Sequence, residues 1–277
     1  MPISDAVVRA MQELASEQWS RLGERAPWHI GDIAWQARRH ENRDPEWRIR
    51  IWVQDERVVA WSWLKDGTAR ELEHDVHRDY LHLLDEVLAE PDAGRASAFE
   101  HDAETRAALA RHGFTRPCDH MHFLVCDLPE APVVPALPEG FTYGTVGPDD
   151  VAERVAAHRE VWEPSRMTEA SYANVRAQWP YRASLDCVVC ADDGRVAASC
   201  LCWPDDRNGV GEFEPVGVRP AFRRRGLGAA VCIFALSRLY EEGGRRAIVL
   251  CHSDAACALY ESIGFRRHAT FVSYDRE

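Results

Sequence analysis

The sequence predicts an α/β (α+β) protein in which two copies of one fold stand in tandem. Three observations carry this reading. A proline-rich break, Leu128-Pro129-Glu130-Ala131-Pro132-Val133-Val134-Pro135-Ala136-Leu137-Pro138, divides the 277 residues, and such a stretch favours an extended, semi-rigid linker. The same order of strand-like and helix-like segments recurs on both sides of it. Two short stretches also correspond in detail: Val76-His77-Arg78-Asp79-Tyr80 with Val218-Arg219-Pro220-Ala221-Phe222, and Leu109-Ala110-Arg111-His112-Gly113-Phe114 with Tyr260-Glu261-Ser262-Ile263-Gly264-Phe265. The length fits two domains of about 140 residues. We divide the chain into a degenerate first domain (1–127), a linker (128–139) and a catalytic domain (140–277).

In the second half, residues 141–146 read as a strand and 148–162 as a helix with an acidic first turn. A second helix covers 169–178. Apolar runs at 184–191 and 196–203 flank Asp192-Asp193-Gly194-Arg195, a hairpin signal. Residues 211–218 form the next strand and lead into Arg223-Arg224-Arg225-Gly226-Leu227-Gly228. The segment 226–242 is apolar most of the way round, as a buried crossover helix is. A strand at 247–251, a helix at 255–262 and a strand at 265–274 complete this half. The first half shows a hairpin (48–53 and 58–64) around Asp55-Glu56, a strand at 72–76 and a helix at 80–89. A strand at 96–100, a helix at 104–111 and a last strand at 120–126 follow. It passes from Tyr80 directly into helix, without an Arg/Gly loop.

Hydrophobic residues make up 46% of the chain and charged residues 28%, ordinary for a globular protein. With 33 basic and 45 acidic residues the net charge is −12. That field argues against sequence-independent nucleic-acid binding, which depends on neutralising phosphates, and it is compatible with a cationic acceptor. The start, Met1-Pro2-Ile3-Ser4-Asp5, has no basic stretch followed by an apolar one, so no signal peptide is expected. The apolar run at 229–236 is far shorter than the roughly 18 residues of a membrane span. A cytoplasmic protein with reduced thiols, free of membrane contact, is the expectation.

The Arg/Gly motif is where the chemistry starts. A strand entering Arg-x-x-Gly-x-Gly and then a helix leaves backbone N–H groups unpaired at a positive helix end, an arrangement that holds a diphosphate. Gly226 and Gly228 let a ligand approach the backbone, and Arg223, Arg224 and Arg225 add charge that grips phosphate. Other phosphate motifs fail. A dinucleotide GxGxxG from Gly226 meets Val231 where its last Gly belongs, a P-loop needs Gly before Lys65 where Leu64 stands, and His77-Arg78-Asp79 lacks the kinase Asn because position 84 is Leu84.

With these residues the sequence resembles the GNAT superfamily of acyl-CoA-dependent N-acyltransferases, over residues 141–274 and more faintly in the first half. The tandem layout is similar to that of the mycothiol synthase group. The resemblance implies two GNAT-like domains, each a mixed, mostly antiparallel sheet flanked by helices. Each sheet of this kind is splayed between its fourth and fifth strands. Acetyl-CoA would lie in that gap, a co-substrate with no metal, held by backbone groups of Val216, Gly217 and Val218 and by amides from Arg224 through Gly226, Leu227 and Gly228 to Ala229. Seven residues before Tyr260 the family often has Asn; Ser253 stands here and is a weaker contact. Tyr260 sits where the family places the acid that protonates the departing thiolate, and a phenol with pKa near 10 suits that donation. Leu109 occupies the equivalent place in the first half, so one catalytic site is expected rather than two.

The amine attacking a thioester must be neutral, so a base or water relay is required. Glu212 and Glu214, two apart on one strand, face the same side, and Val216 and Val218 are expected there with them. Partial burial would raise a Glu toward working pH; a bulge would change which of the two points inward, and the choice between them stays open. Trp162-Glu163-Pro164-Ser165-Arg166 follows the first helix, so Trp162 and Arg166 are candidate acceptor contacts. Cys187-x-x-Cys190 and Cys200-x-Cys202 resemble metal ligands, but the odd offset sends Cys190 to the other face. His74, His77, His82, His120 and His122 come without carboxylate partners. The expected activity is an N-acetyltransferase acting on a small-molecule or peptide amine, as a monomer or homodimer. A mycothiol-synthase-like enzyme and a non-catalytic acyl-CoA sensor are the alternatives.

Overall fold

The computed structural model describes residues 4–40, 47–65 and 69–277, so the opening Met1-Pro2-Ile3 lies outside the described residues. Ser4 accepts the Val7 amide and caps α1 (Asp5–Leu22), whose buried face carries Val8, Met11, Leu14, Ala15 and Trp19. α2 (Ile30–Arg38) starts with a capping box in which the His29 ring accepts the Gly31 amide and Asp32 accepts the His29 amide. Neither helix was anticipated from the sequence. The capped, 3.6-periodic apolar pattern of α1 was nonetheless legible.

The hairpin of β1 (Arg48–Gln54) and β2 (Arg57–Leu64) turns at Asp55 and Glu56, both at positive φ. Then come β3 (Glu71–Val76), a 3-10 turn at Arg78–Leu83, α3 (Leu84–Leu88), β4 (Arg95–Phe99), α4 (Ala103–Arg111) and β5 (Phe114–Asp127). Residues 128–140 form neither helix nor strand. The second half runs β6 (Phe141–Thr145), α5 (Val151–Val161), α6 (Glu169–Arg176), β7 (Asp186–Ala191), β8 (Val196–Asp205), β9 (Val210–Val218), α7 (Leu227–Glu241), β10 (Arg246–Cys251), α8 (Asp254–Ser262) and β11 (Arg266–Arg276).

Among the described residues these strands make one sheet in the order β1-β2-β3-β4-β11-β5-β10-β9-β8-β7-β6. All pairings are antiparallel except β3 with β4 and β9 with β10. The two halves exchange their last strands. β5 leaves the first half to pair with β10, and β11 leaves the second to lie between β4 and β5. A terminal strand has no covalent reason to stay home, and in tandem each half offers the other an open edge.

α7 packs on one face of the second half over a core of Val231, Leu236 and Leu239 with Cys187, Cys200, Cys202 and Phe213. The opposite face is covered by α5, α6 and α2 of the first half, around Trp35, Tyr172, Leu201 and Trp203. No helix among the described residues is long and apolar enough to cross a membrane.

Candidate active site

The site begins where β9 parts from β10. Their parallel ladder runs only from Val210 opposite Arg246 to Glu212 opposite Ile248, so the strands diverge beyond it and leave the splayed gap that the resemblance implies. On its other edge β9 carries a bulge. Cys200 opposes Val216 and Cys202 opposes Phe213, which leaves Glu214 and Pro215 against Leu201 alone. Two residues facing one shift the side-chain alternation by one place. Glu212 and Glu214 therefore share a face, as expected, but Val216 and Val218 do not share it with them. Those two valines pack toward the α7 core.

The carboxylates meet a third that sequence reasoning missed. Carboxylate oxygens of Asp32, Glu212 and Glu214 lie within 4.8 Å of one another. Asp32 comes from α2, which is seated so closely that a Cβ on Gly31 would lie 2.4 Å from the Trp203 Cβ and 2.8 Å from the Glu212 carboxylate. Trp203 Nε1 donates to the Glu214 carbonyl at 2.6 Å, fixing the bulge from the same side. Glu212 is 2% exposed. Burial, and after it the charge of Glu214, pushes its pKa up to about 8. Burial and then the charge of Asp32 hold Glu214 well above the carboxylate range, and burial with Glu212 does the same for Asp32. His29 Nδ1 lies 3.2 Å from Glu212 Oε2, and burial lowers the His29 pKa, which disfavours the imidazolium. Three carboxyl groups this close cannot all ionise, so they share protons. Sequence order gave no cue, because Asp32 and Glu212 meet only through tertiary packing.

This cluster opens on a cavity of about 860 Å³ between the halves. Glu212, Glu214, Val216, Ser253, Tyr260, Trp162 and Arg166 all line it. Tyr260 projects from α8, is 6% exposed and packs against Phe265. Burial raises its pKa well above the phenol range, so the ring keeps its proton. Ser253 caps α8 by accepting the Ala256 amide at 3.2 Å. Trp162 stacks on His158 with centroids 4.3 Å apart and lies against Gly217, where a Cβ would come within 2.7 Å of the ring.

The Arg/Gly loop stands apart from the carboxylates, beyond the end of β9. Arg224 and Gly226 take positive φ, and Gly226 begins α7 with no side-chain cap. The Ala230 amide bonds back to the Gly226 carbonyl, so the amides of Leu227, Gly228 and Ala229 before it face outward for an anion. Gly228 is packed against Leu259 and Val218. Arg223 donates to the Val218 carbonyl, Arg225 lies over Phe141 and Phe222, and all three arginines are exposed. These residues fit a diphosphate, which is the observation that favours acetyl-CoA here.

The first half retains a gap of its own. β3 and β4 pair only at Glu71–Arg95 and Leu72–Ala96, and the same cavity is lined by His74, Val76, Ser97 and Phe99. The turn after β3 is capped by His77 accepting the Asp79 amide, so no Arg/Gly loop follows it. Burial lowers His74 to about 4, holding it neutral. Leu109, at the place of Tyr260, is buried in the first-half core. Cys187 pairs directly across from Cys200, Cys190 packs on the other face, and all nine cysteines are free.

Residues 152–265 match the acetyltransferase (GNAT) family. The mycothiol acetyltransferase of Saccharomonospora viridis is 29% identical over 219 residues, covering 73% of this chain and 71% of that protein. For three other mycothiol acetyltransferases the matches cover 23%, 48% and 50% of their length, so the chain spans at most about half of them. Two solved structures share the fold: a GCN5-related N-acetyltransferase from Sphaerobacter thermophilus (TM-score 0.66, 18% identity, 100% of this chain and 94% of that one) and a tandem GNAT protein from the clavulanic acid biosynthesis pathway (TM-score 0.64, 16% identity, 98% and 94%). With the splayed sheet, the uncapped Arg/Gly turn and these matches together, residues 152–265 are a GNAT acetyltransferase domain, in a chain that has the fold of tandem GNAT proteins.

Proposed function

We propose that the chain is an acetyl-CoA-dependent N-acetyltransferase whose acceptor, a primary amine of a small molecule or peptide, binds in the cavity between the halves. The observation that carries this is one cavity lined both by the clustered carboxyl groups and by the buried Tyr260 phenol. Acetyl-CoA would be held by the amides of residues 224–229 and by the β9 edge at Val216, Gly217 and Val218, and it supplies the activated acyl thioester. Glu212 or Glu214 takes the proton of the incoming ammonium, directly or through water. Tyr260, kept protonated by burial, donates to the departing sulfur. Trp162 and Arg166 contact the acceptor from the end of α5. The free thiols fit a reducing compartment, and we place the protein in the cytoplasm as a monomer or homodimer.

The test is release of CoA thiol from acetyl-CoA across a panel of primary amines. Turnover of one or more supports the reading; tight acetyl-CoA binding with no transfer to any amine favours a sensor instead. The names of the curated relatives favour a second acceptor reading, the mycothiol precursor, a cysteinyl glycosyl-inositol. Including that compound in the panel decides it, and absence of turnover with it removes the reading.

A further inference from the structure

We propose that Asp32, carried in by α2 from the first half, is the third carboxylate of the acceptor's ammonium receptor, so that the site of the second half is incomplete without the first. This rests on the reading that Glu212 and Glu214 serve the amine. An alkylammonium presents three N–H donors and one positive charge, and it finds here three carboxyl groups within 4.8 Å of one another. No Lys or Arg forms a salt bridge with any of the three among the described residues. Glu212 Oε2 is buried and has no hydrogen-bond partner; its neighbour there is the His29 ring, whose Nδ1 already accepts from Gly31. Asp32, Glu212 and Glu214 all line the cavity through which an acceptor enters. The close seating of Gly31 on Trp203 fixes α2, and hence Asp32, against β9.

Proton count gives a use for more than one carboxyl. The ammonium gives one proton to the cluster and exposes its lone pair. The N–C bond forms as the C–S bond breaks, and the nitrogen then gives up a second proton. Of these two protons, one is balanced by the proton that Tyr260 delivers to sulfur and then regains, and the other leaves to water. A cluster able to hold more than one proton serves both losses. The charged and titratable groups facing it are His29 just before α2, Arg39 just after it, Lys65 from the end of β2 and Cys202 of β8, with Asp205 of β8 acting on His29.

The experiment compares the full chain with Asp32→Asn, Glu212→Gln and Glu214→Gln. Asn keeps an oxygen to accept the His29 amide, so the cap of α2 survives while the charge is lost. Initial rates of thiol release are measured from pH 5.5 to 9.5 with acetyl-CoA and the best acceptor among glycinamide, phenethylamine, glucosamine and spermidine. Calorimetric acetyl-CoA affinity and melting temperature are recorded in parallel. Asp32→Asn should lower kcat/KM for the amine about tenfold or more. It should also move the acidic limb of the profile to lower pH, because a negative neighbour of Glu214 is gone, and leave acetyl-CoA affinity within twofold. A purely structural Asp32 would lower the melting temperature and leave the limb in place. An unmoved limb with kcat/KM within twofold of wild type overturns the proposal while the glutamate reading stands. A wild-type profile in both Glu→Gln variants overturns both. Loss of turnover in EDTA with recovery in Mg²⁺ makes the cluster a cation site and overturns the ammonium receptor. If Asp32→Asn does not fold, Asp32→Ser, which also retains a capping oxygen, takes its place with the same outcomes.

Discussion

Tyr260 and Glu212 are buried for opposite chemical ends. Burial strengthens the hold of Tyr260 on its proton, which suits the donor role proposed for it; burial lifts Glu212 to about 8, which suits the proposed acceptor role at mild pH. Tyr260→Phe removes the donor but keeps the ring against Phe265. We expect kcat to fall by roughly 10²–10⁴-fold with acetyl-CoA affinity unchanged, measured by thiol release and calorimetry. The raised carboxyls also shape stability. Between its unfolded and folded pKa values, Glu212 holds a proton in the folded state that the unfolded chain has released, so stability falls as pH rises from about 4.5 to about 8. Asp75, pushed by burial to about 7, acts in the same direction. The neutral buried His74 and His158 oppose this only below the ordinary histidine value of 6.5. The melting temperature of the ligand-free protein should therefore drop between pH 6.5 and 8, and Glu212→Gln should flatten that slope; a flat wild-type curve would refute it.

At the scale of elements, the bulge of β9 and the seat of α2 decide what faces the cavity. The strand pattern of 211–218 was legible, as were the motif after it and the placement of Tyr260 on α8, because each depends on local periodicity and turn chemistry. The bulge was not, since two residues opposing one is a property of the pairing with β8 and leaves β9's own sequence unmarked. That is why Val216 and Val218 were assigned the wrong face while Glu212 and Glu214 were not. Asp32 was missed for a related reason: its sequence context is that of a helix cap, and its second partner is 180 residues away. Gly31 shows how tight that meeting is. Gly31→Ala puts a methyl into the Trp203 side chain, and overpacking of this kind costs about 1–3 kcal/mol. We expect a lower melting temperature, read by calorimetry, together with slower turnover as α2 backs away from β9.

At the scale of the molecule, the tandem organisation was legible from the repeated element order and the two matching stretches. The exchange of β5 and β11 was not, because both arrangements use the same strands with the same patterns. Exchange makes the halves mutually dependent. Residues 1–139 alone would lack β11 and leave β4 unpaired on that side; residues 140–277 alone would leave β10 without β5. Each fragment expressed singly should be insoluble or aggregate, and co-expression should restore a soluble pair; a monomeric, cooperatively melting single fragment would contradict this. The placing of β11 also bears on how the molecule would be taken apart. The C-terminal strand lies in the middle of the sheet, clamped between β4 and β5, and the Glu277 amide is still bonded to Gly113. A processive unfoldase pulling from that end must shear two antiparallel ladders at once before any helix yields. One pulling from Ser4 meets α1 first. Attached to a degradation tag, the chain should therefore survive far longer when the tag follows Glu277 than when it precedes the N-terminus, and equal lifetimes would show that β11 is not the mechanical lock.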